Sequence, residues 1–174
     1  MTPFSQEPGI VQNIDVSVEI RRVGYDHPDA QKLVDRVQEF YVERYGEPDT
    51  DPTDPEMFEP PAGAYFLAYL DDVPVASGAW RRSGEPALGT EVTAEIKRMY
   101  VVPEAQGQGL AKRMLAHVEA SARSAGFEGL VLTTGDLQHE AIGLYRAHGY
   151  VEVEPFGYYK DDELVVCMAK RLDH

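Results

Sequence analysis

The feature that most constrains the fold of this sequence is a glycine-rich turn between a segment with strand periodicity and a segment with helix periodicity. The turn spans residues 106–111, with glycines at positions 107 and 109. Residues 93–102 alternate as a strand does, and residues 110–125 carry apolar side chains at helical spacing. Such a turn exposes backbone N–H groups at the positive end of a helix dipole, which predicts an anion site.

The turn matches neither of the two common nucleotide-binding motifs. A Walker A loop needs Lys followed by Ser or Thr after its last glycine, and a dinucleotide fingerprint needs glycine at position 112, which is Lys112. Local charge nevertheless favours an anion, because residues 96–113 contain four bases and one acid, Glu104. Those bases are Lys97, Arg98, Lys112 and Arg113. A plain turn without a ligand is the alternative interpretation.

Periodicity along the rest of the chain predicts the order β-α-β-β-β-α-β-α-β-β, which indicates a mixed sheet with helices on its faces. We expect strands at 16–22, 64–70, 73–81, 93–102, 130–134, 150–154 and 164–170, and helices at 29–45, 110–125 and 141–148. The length of 174 residues fits one domain over residues 1–174.

The net charge of −14 limits the classes of partner. The chain has 30 acidic and 16 basic side chains, so it repels nucleic-acid backbones and anionic membrane surfaces. We therefore expect no nucleic-acid partner and no membrane partner. Residues 49–59 hold five carboxylates and no base. This segment is interpreted either as a solvated, proline-stiffened loop or as a negative rim that attracts a cationic substrate.

Compartment signals favour a cytoplasmic protein. Cys167 is the only cysteine, which excludes an internal disulfide. Residues 1–15 have no basic region followed by an apolar one, so no secretory signal is visible. The longest apolar run, residues 64–70, is too short to cross a bilayer as a helix.

Three segments together resemble the GCN5-related N-acetyltransferases, the GNAT superfamily. Residues 106–111 match the acetyl-CoA loop pattern Q/R-x-x-G-x-G/A, and residues 141–150 match A-x-x-x-Y followed by G-F/Y. Residues 159–170 resemble the last strand of the family, and the whole resemblance covers roughly residues 64–171. One departure is Gln138, where the family often has Asn.

The resemblance implies the fold and the co-substrate. The expected fold is an α/β (mixed α+β) single domain, with a largely antiparallel mixed sheet of six to seven strands flanked by helices. The expected co-substrate is acetyl-CoA, with no metal. The residues that the resemblance assigns to acetyl-CoA binding are Met99, Tyr100, Val101, Val102, Gln106, Gly107, Gln108, Gly109, Leu110 and Ala111.

The resemblance also implies the catalytic residues. A lysine-like amine is only about 0.1% neutral near pH 7.4, so a base is useful, and Glu95 matches a glutamate that serves as base in some members. Tyr145 matches the general-acid tyrosine that protonates the leaving thiolate. A backbone N–H within residues 99–102 is expected to stabilise the carbonyl oxygen. The alternatives are a charged residue at a strand start for Glu95 and a packing residue for Tyr145.

The expected reaction is direct acetyl transfer, in a ternary complex, to a small cationic amine or a peptide amine. The side chains expected near the acceptor are Tyr41, Tyr45, Met57, Phe58, Trp80, Tyr158 and Tyr159. Two alternatives remain open: a catalytically silent acyl-CoA sensor, and an acyltransferase with an oxygen acceptor or another acyl donor. Because many members of the family are dimers, the resemblance also implies a homodimer.

Overall fold

The structure, a computed structural model, describes residues 17–173. The strands are β1 (Val18–Val23), β2 (Gly63–Leu70), β3 (Val73–Arg82), β4 (Thr93–Val101), β5 (Gly129–Gly135), β6 (Val151–Val153) and β7 (Val165–Arg171). The helices are α1 (Pro28–Tyr45), α2 (Leu110–Ser124) and α3 (His139–Ala147). The chain order is the predicted one, with element ends within about two residues of the predicted ends. Residue 16, where the first strand is predicted to begin, lies outside the described residues. So do residues 1–15, in which the sequence shows no secretory signal.

The seven strands form one mixed sheet in the order β1-β2-β3-β4-β5-β7-β6. All neighbouring strands are antiparallel except β4 and β5, which are parallel. The parallel pair follows from the connection, because the chain leaves β4, passes through α2 and returns to the same edge of the sheet as β5. The predicted fold class, a largely antiparallel mixed sheet flanked by helices, is confirmed.

The sheet is covered on both faces. On one face α2 buries Met114, Leu115, Val118 and Ala122 against a core that includes Trp80. A second core on the other face includes side chains from α1 and from strands β2 and β3, among them Leu33, Tyr65, Leu67 and Ala79. No helix within residues 17–173 is long and apolar enough to cross a membrane.

Strands β4 and β5 pair over only three residues before they separate. Their parallel register runs from Thr93 opposite Gly129 to Glu95 opposite Val131. Beyond Glu95 the pairing of β4 with β3 also becomes irregular. The separation leaves one edge of β4 without a neighbouring strand in the middle of the sheet, and this opening is where the cleft described next lies.

Candidate functional site

A cleft of about 860 Å³ begins where β4 and β5 separate. Its walls come from α1, β4, the glycine-rich turn, β5 and α3. Every residue that was predicted to bind acetyl-CoA lines this cleft except Val102 and Gln108. Val102 is buried beneath the strand end, and Gln108 is exposed on the turn. Sequence motifs that lie apart in the chain therefore meet in one cavity.

The glycine-rich turn has the geometry of an anion cradle. Gly107 and Gly109 have φ angles of 82° and 77°, and a Cβ on either residue would point into open space. Among the described residues, the N–H groups of Gly107, Gln108 and Gly109 donate to no acceptor. The side chain of Gln106 holds the turn against β4 by donating to the Val101 carbonyl at 3.2 Å. Free N–H groups at the start of α2 suit a phosphate group.

Strand β4 presents free backbone groups to the cleft. The N–H of Val102 donates to the Val75 carbonyl of β3 at 2.9 Å. Because hydrogen-bonded and non-hydrogen-bonded pairs alternate along antiparallel strands, the N–H and carbonyl of Val101 point to the opposite edge. That edge has no strand beside it at this height. The N–H of Val101 can therefore bind an amide of an extended ligand, whereas the N–H of Val102 is already used.

A β-bulge lies in the middle of β4. Ser77 pairs with Tyr100 and Ala79 with Lys97, so Gly78 alone faces two residues, Arg98 and Met99. Gly78 leaves room for the bulge, because a Cβ there would meet the side chains of Met114 and Met99. Bulges redirect backbone and side-chain groups next to functional sites.

Tyr145 lines the cleft from α3 and is 5% exposed. Its ring packs edge-on against Tyr150, with ring centroids 5.4 Å apart. Burial raises the pKa of the Tyr145 hydroxyl well above its usual value, and the neighbouring Tyr41 adds to the effect. The hydroxyl is therefore protonated throughout the neutral and mildly alkaline range, as a proton donor must be.

Glu95 does not line the main cleft. Glu95 lines a second cavity of about 430 Å³, on whose wall Met57, Tyr158 and Tyr159 also lie. Thr133 lines both cavities. The structure thus places Glu95 and Tyr145 on different cavities that have this one lining residue in common.

Glu95 belongs to a cluster of three acids and three bases, which we call the acid–base cluster: Asp49, Asp51, Arg81, Glu95, Lys97 and Arg98. Asp51 Oδ2 lies 2.9 Å from Arg81 Nη2 and 2.7 Å from Lys97 Nζ. Glu95 lies 3.5 Å from Arg81 and 3.7 Å from Lys97. These side chains are mostly buried, so their pairing is screened less by salt than surface pairs are.

The acid–base cluster corrects the charge interpretation of the sequence. Lys97 and Arg98 were counted among the bases available to an anion at the turn, but they face acids of the cluster instead. Of the four bases in residues 96–113, Lys112 and Arg113 thus remain near the turn, both exposed on the first turn of α2. Free backbone donors, more than a basic patch, make the turn suited to an anion.

The acidic segment 49–59 is only partly a solvated loop. Asp49 and Asp51 are largely buried within the acid–base cluster, whereas Asp54, Glu56 and Glu59 are exposed. Burial alone would raise the pKa of Asp49. A hydrogen bond from the Tyr159 hydroxyl at 2.6 Å, together with the charge of Lys97, outweighs burial and lowers that pKa below its usual value.

The aromatic candidates for the acceptor site separate into three groups. Tyr41 lines the main cleft, and Tyr45 lines a small cavity of about 150 Å³ beside it. Met57, Tyr158 and Tyr159 line the second cavity. The prediction was wrong for Phe58 and Trp80, which are core residues with 1% and 3% exposure. Aromatic residues have the same spacing in the sequence whether they line a pocket or fill the core. Only the packing in the folded chain distinguishes pocket residues from core residues.

Two features of the site have no signal in a single sequence. Arg81 joins the acid–base cluster from β3, and the contact between Lys97 and Asp51 spans 46 positions of the chain.

Gln138, which departs from the usual Asn of the resembled family, lines the cleft at the start of α3. Within residues 17–173 no group of three or more His, Cys, Asp or Glu side chains is arranged to hold a metal ion.

Comparison with known proteins identifies a family. The acetyltransferase (GNAT) family matches residues 34–150 of the chain. The IAA acetyltransferase of Azospirillum brasilense is 31% identical over 141 residues, which cover 81% of this chain and 89% of that protein.

Solved structures are similar over nearly the whole chain. A Klebsiella pneumoniae protein named as an acyl-CoA N-acyltransferase is 28% identical, with a TM-score of 0.74, and the match covers 91% of this chain and all of that one. A GNAT family acetyltransferase of Elizabethkingia anophelis, solved with acetyl-CoA bound, has a TM-score of 0.62 at 18% identity. That match covers 91% of this chain and 99% of the other, and it shows a shared fold.

Proposed function

We propose that this chain, which belongs to the acetyltransferase (GNAT) family and is an acyltransferase, moves an acetyl group from acetyl-CoA directly to an amine in a ternary complex. The observation that carries the proposal is the cleft between β4 and β5. It combines unused backbone donors at the turn and on β4 with a protonated tyrosine on the opposite wall.

The residues of the cleft fit acetyl-CoA. The N–H groups of Gly107, Gln108 and Gly109 suit the diphosphate, because an anion at a helix N-terminus is stabilised by these donors and by the helix dipole. The N–H of Val101 suits the amide-bearing arm, which would extend along the free edge of β4. Our candidate for the N–H that stabilises the carbonyl oxygen is that of Met99. The bulge takes this residue out of the regular hydrogen-bond ladder between β4 and β3.

Proton transfers accompany the acyl transfer. Acetyl-CoA supplies the thioester whose carbon–sulfur bond breaks as the new carbon–nitrogen bond forms. The attacking nitrogen must lose one proton, and the leaving sulfur must gain one. Tyr145 is positioned on the cleft wall to donate the second proton, and its raised pKa keeps that proton in place until the sulfur leaves.

We assign the first proton to Glu95, acting directly or through water. Glu95 lines the second cavity, and Thr133 lines both that cavity and the cleft. An amine that enters through the second cavity would pass Glu95 before it reaches the thioester. Arg81 and Lys97 fix the orientation of the carboxylate through contacts of 3.5 and 3.7 Å.

The acceptor class is an amine small enough for the second cavity. Its volume of about 430 Å³ and its lining by Tyr158, Tyr159 and Met57 suit an organic amine with an apolar part. The Azospirillum brasilense relative is named as an IAA acetyltransferase. From the size of the second cavity we propose a small molecule for this chain, in preference to a peptide.

Two-substrate kinetics test the proposal. Initial rates of free-thiol release are measured while acetyl-CoA and an amine are varied together, with an amine panel used to choose the acceptor. Direct transfer predicts double-reciprocal lines that intersect, and release of thiol that depends on the amine. Parallel lines would indicate a covalent acetyl-enzyme and contradict direct transfer. Tight acetyl-CoA binding with no amine-dependent release would contradict the acetyltransferase assignment itself.

A further inference from the structure

We infer that the guanidinium of Arg98 binds a carboxylate of the acyl acceptor, so that the acceptor is an amine that also carries a carboxylate. The inference rests on the proposed function, because it names the substrate class for that reaction: the acceptor occupies the second cavity, and its carboxylate reaches Arg98 in the cleft past Thr133, which lines both cavities. It starts from one unusual side chain. Arg98 lines the cleft, yet its side chain is only 3% exposed.

The guanidinium of Arg98 has unused hydrogen-bond donors. Among the described residues, its Nε and Nη1 atoms are buried and have no acceptor. The nearby carboxylate of Asp49 is 3.8 Å from Nη1, which is beyond hydrogen-bond distance. A buried cation with unpaired donors is costly unless another group supplies the acceptors. Arg98 therefore lacks a planar acceptor that a ligand in the cleft can provide.

The backbone holds Arg98 in a costly conformation. Its φ angle is 57°, in the left-handed region that favours glycine, and it forms the bulge of β4 with Met99. The hydroxyl of Ser77 donates to the Arg98 carbonyl at 2.6 Å and fixes this geometry. Strain of this kind is concentrated at functional sites, where the surrounding structure maintains it. A glycine would adopt this φ angle at a lower free-energy cost than arginine, but it would provide no guanidinium.

The charges around Arg98 permit an added carboxylate. The acid–base cluster contains three acids and three bases, so its formal charge is zero although the whole chain carries −14. Asp51 Oδ2 and both carboxylate oxygens of Glu95 contact Arg81 and Lys97, so Asp49 is the one acid of the cluster that faces Arg98. The rigid fork of an arginine matches the two oxygens of a carboxylate, which a lysine ammonium does not.

The same contacts weaken the expectation of a purely cationic acceptor. Asp49 and Asp51, two of the five acids in segment 49–59, are engaged within the protein. Of the buried charged side chains that line the cleft, Arg98 is the one whose hydrogen-bond donors have no acceptor among the described residues. Tyr41 and Thr133 line the cleft as well, so an acceptor held there would contact an aromatic ring and a hydroxyl beside the guanidinium.

The test compares amines that differ only in the carboxylate. Phenylalanine is paired with phenethylamine, tryptophan with tryptamine, and lysine with cadaverine, each at saturating acetyl-CoA. We expect the wild-type protein to have a kcat/KM at least tenfold higher for the carboxylate-bearing member of the best pair. Arg98→Gln should reduce that preference by about 10- to 100-fold, mainly through the KM of the acceptor. The decarboxylated member should change by less than about threefold.

Conservative and remote variants separate recognition from structure. Arg98→Lys keeps the charge without the fork and should retain part of the preference. Arg171→Gln removes an arginine from an exposed pair with Glu128 and should leave all rates unchanged. Thermal unfolding of each variant checks that it is folded. If Arg98→Gln lowers kcat/KM equally for both members of a pair, the role is structural and the inference is wrong.

Two further outcomes are decisive. Equal wild-type rates for both members of every pair would overturn the inference while leaving the proposed function intact. A raised KM for acetyl-CoA in Arg98→Gln, with the acceptor preference unchanged, would assign Arg98 to a phosphate of the co-substrate and also overturn it. If no pair is turned over, calorimetry with CoA and N-acetylphenylalanine decides. Binding that Arg98→Gln weakens tenfold supports the inference, and binding equal to that of N-acetylphenethylamine contradicts it.

Discussion

Tyr145 combines two properties that a proton donor to a leaving sulfur needs: it lines the cleft, and burial raises its pKa. Tyr145→Phe should lower kcat by about 100-fold, because general-acid catalysis contributes on that order, and should leave the KM of acetyl-CoA nearly unchanged. The raised pKa predicts that wild-type kcat shows no loss of this acid between pH 8 and 10. Steady-state thiol release across that range measures both effects.

The matched control for Tyr145 is Tyr69→Phe. Tyr69 is also a buried tyrosine, but its hydroxyl donates to Asp29 at 2.9 Å, on the α1 side of the sheet. Its loss should lower the thermal stability and leave kcat unchanged. Equal kcat for Tyr145→Phe and wild type would remove Tyr145 from the mechanism.

The proposed role of Glu95 as a base predicts that the effect of its substitution on kcat/KM depends on pH. Glu95→Gln should lower kcat/KM for an alkyl amine by more than tenfold near pH 7, and the deficit should shrink toward pH 10. The reason is that a lysine-like amine, with a pKa near 10.4, becomes neutral without a base at high pH. The exposed Glu91, two residues before β4, provides the control variant Glu91→Gln. A deficit that stays constant with pH would identify Glu95 as a structural member of the acid–base cluster.

At this scale the sequence predicts the residues that lie in contiguous motifs and misses those that pair across the chain. Gly107, Gly109 and Tyr145 follow from local patterns, and the structure brings them to one cleft. The environment of Arg98 does not follow, because its partners come from distant segments. Its left-handed φ angle also has no signal, since the residue at this position is not a glycine.

The turn before α2 is the element to which the proposed function assigns co-substrate binding. Gly109→Ala should raise the KM of acetyl-CoA by at least tenfold, because alanine disfavours a φ of 77° and would shift the N–H groups that face the ligand. The stability cost should be about 1 kcal/mol. Acetyl-CoA titration calorimetry and urea denaturation measure the two effects.

The other end of α2 provides the control for that substitution. Gly126 has a φ of 94°, and a Cβ there would also meet nothing within 4 Å. Gly126→Ala should therefore cost similar stability without changing acetyl-CoA affinity. Equal weakening of acetyl-CoA binding in both variants would show that general destabilisation, and not the geometry of the turn, is responsible.

The elements themselves could be predicted because their patterns are local. Helix α2 has apolar residues at helical spacing, and the strands alternate, so periodicity alone locates them. The separation of β4 from β5 after Glu95 could not be predicted in this way. The point at which two strands separate is set by pairing between distant segments, which is a property of the assembled fold.

At the scale of the whole molecule, buried tyrosines link stability to pH. Burial raises the pKa of Tyr41, Tyr65 and Tyr69 to about 12, with Asp49 adding to the effect at Tyr41 and Asp29 at Tyr69. Unfolded tyrosine has a pKa near 10. Each raised pKa therefore contributes stability that is fully present below pH 10 and is lost as the pH rises through about 12.

The expected result is a constant free energy of unfolding from pH 8 to 9, followed by a steep decrease between pH 10 and 12. Urea denaturation at fixed ionic strength measures it. Tyr65→Phe removes one of these groups from a position with no exposure and should make the decrease shallower. A free energy of unfolding that is flat to pH 12 would contradict the burial of these hydroxyls.

The net charge of −14 has a different meaning in the folded chain than in the sequence. Two acids of segment 49–59 and two bases of β4 neutralise one another inside the acid–base cluster. The remaining excess lies on the surface, where it still disfavours nucleic acid as a partner. One domain over residues 1–174, a cytoplasmic location and a homodimer stay predictions.

The central claim is transfer of an acetyl group from acetyl-CoA to nitrogen, and mass spectrometry of the product tests it most directly. The protein is incubated with acetyl-CoA labelled in the acetyl group and with the best amine of the panel. We predict a labelled acceptor that resists hydroxylamine, as an amide does, and a yield that falls about 100-fold with Tyr145→Phe. An unlabelled acceptor despite bound acetyl-CoA, or a label that hydroxylamine removes, would contradict the claim.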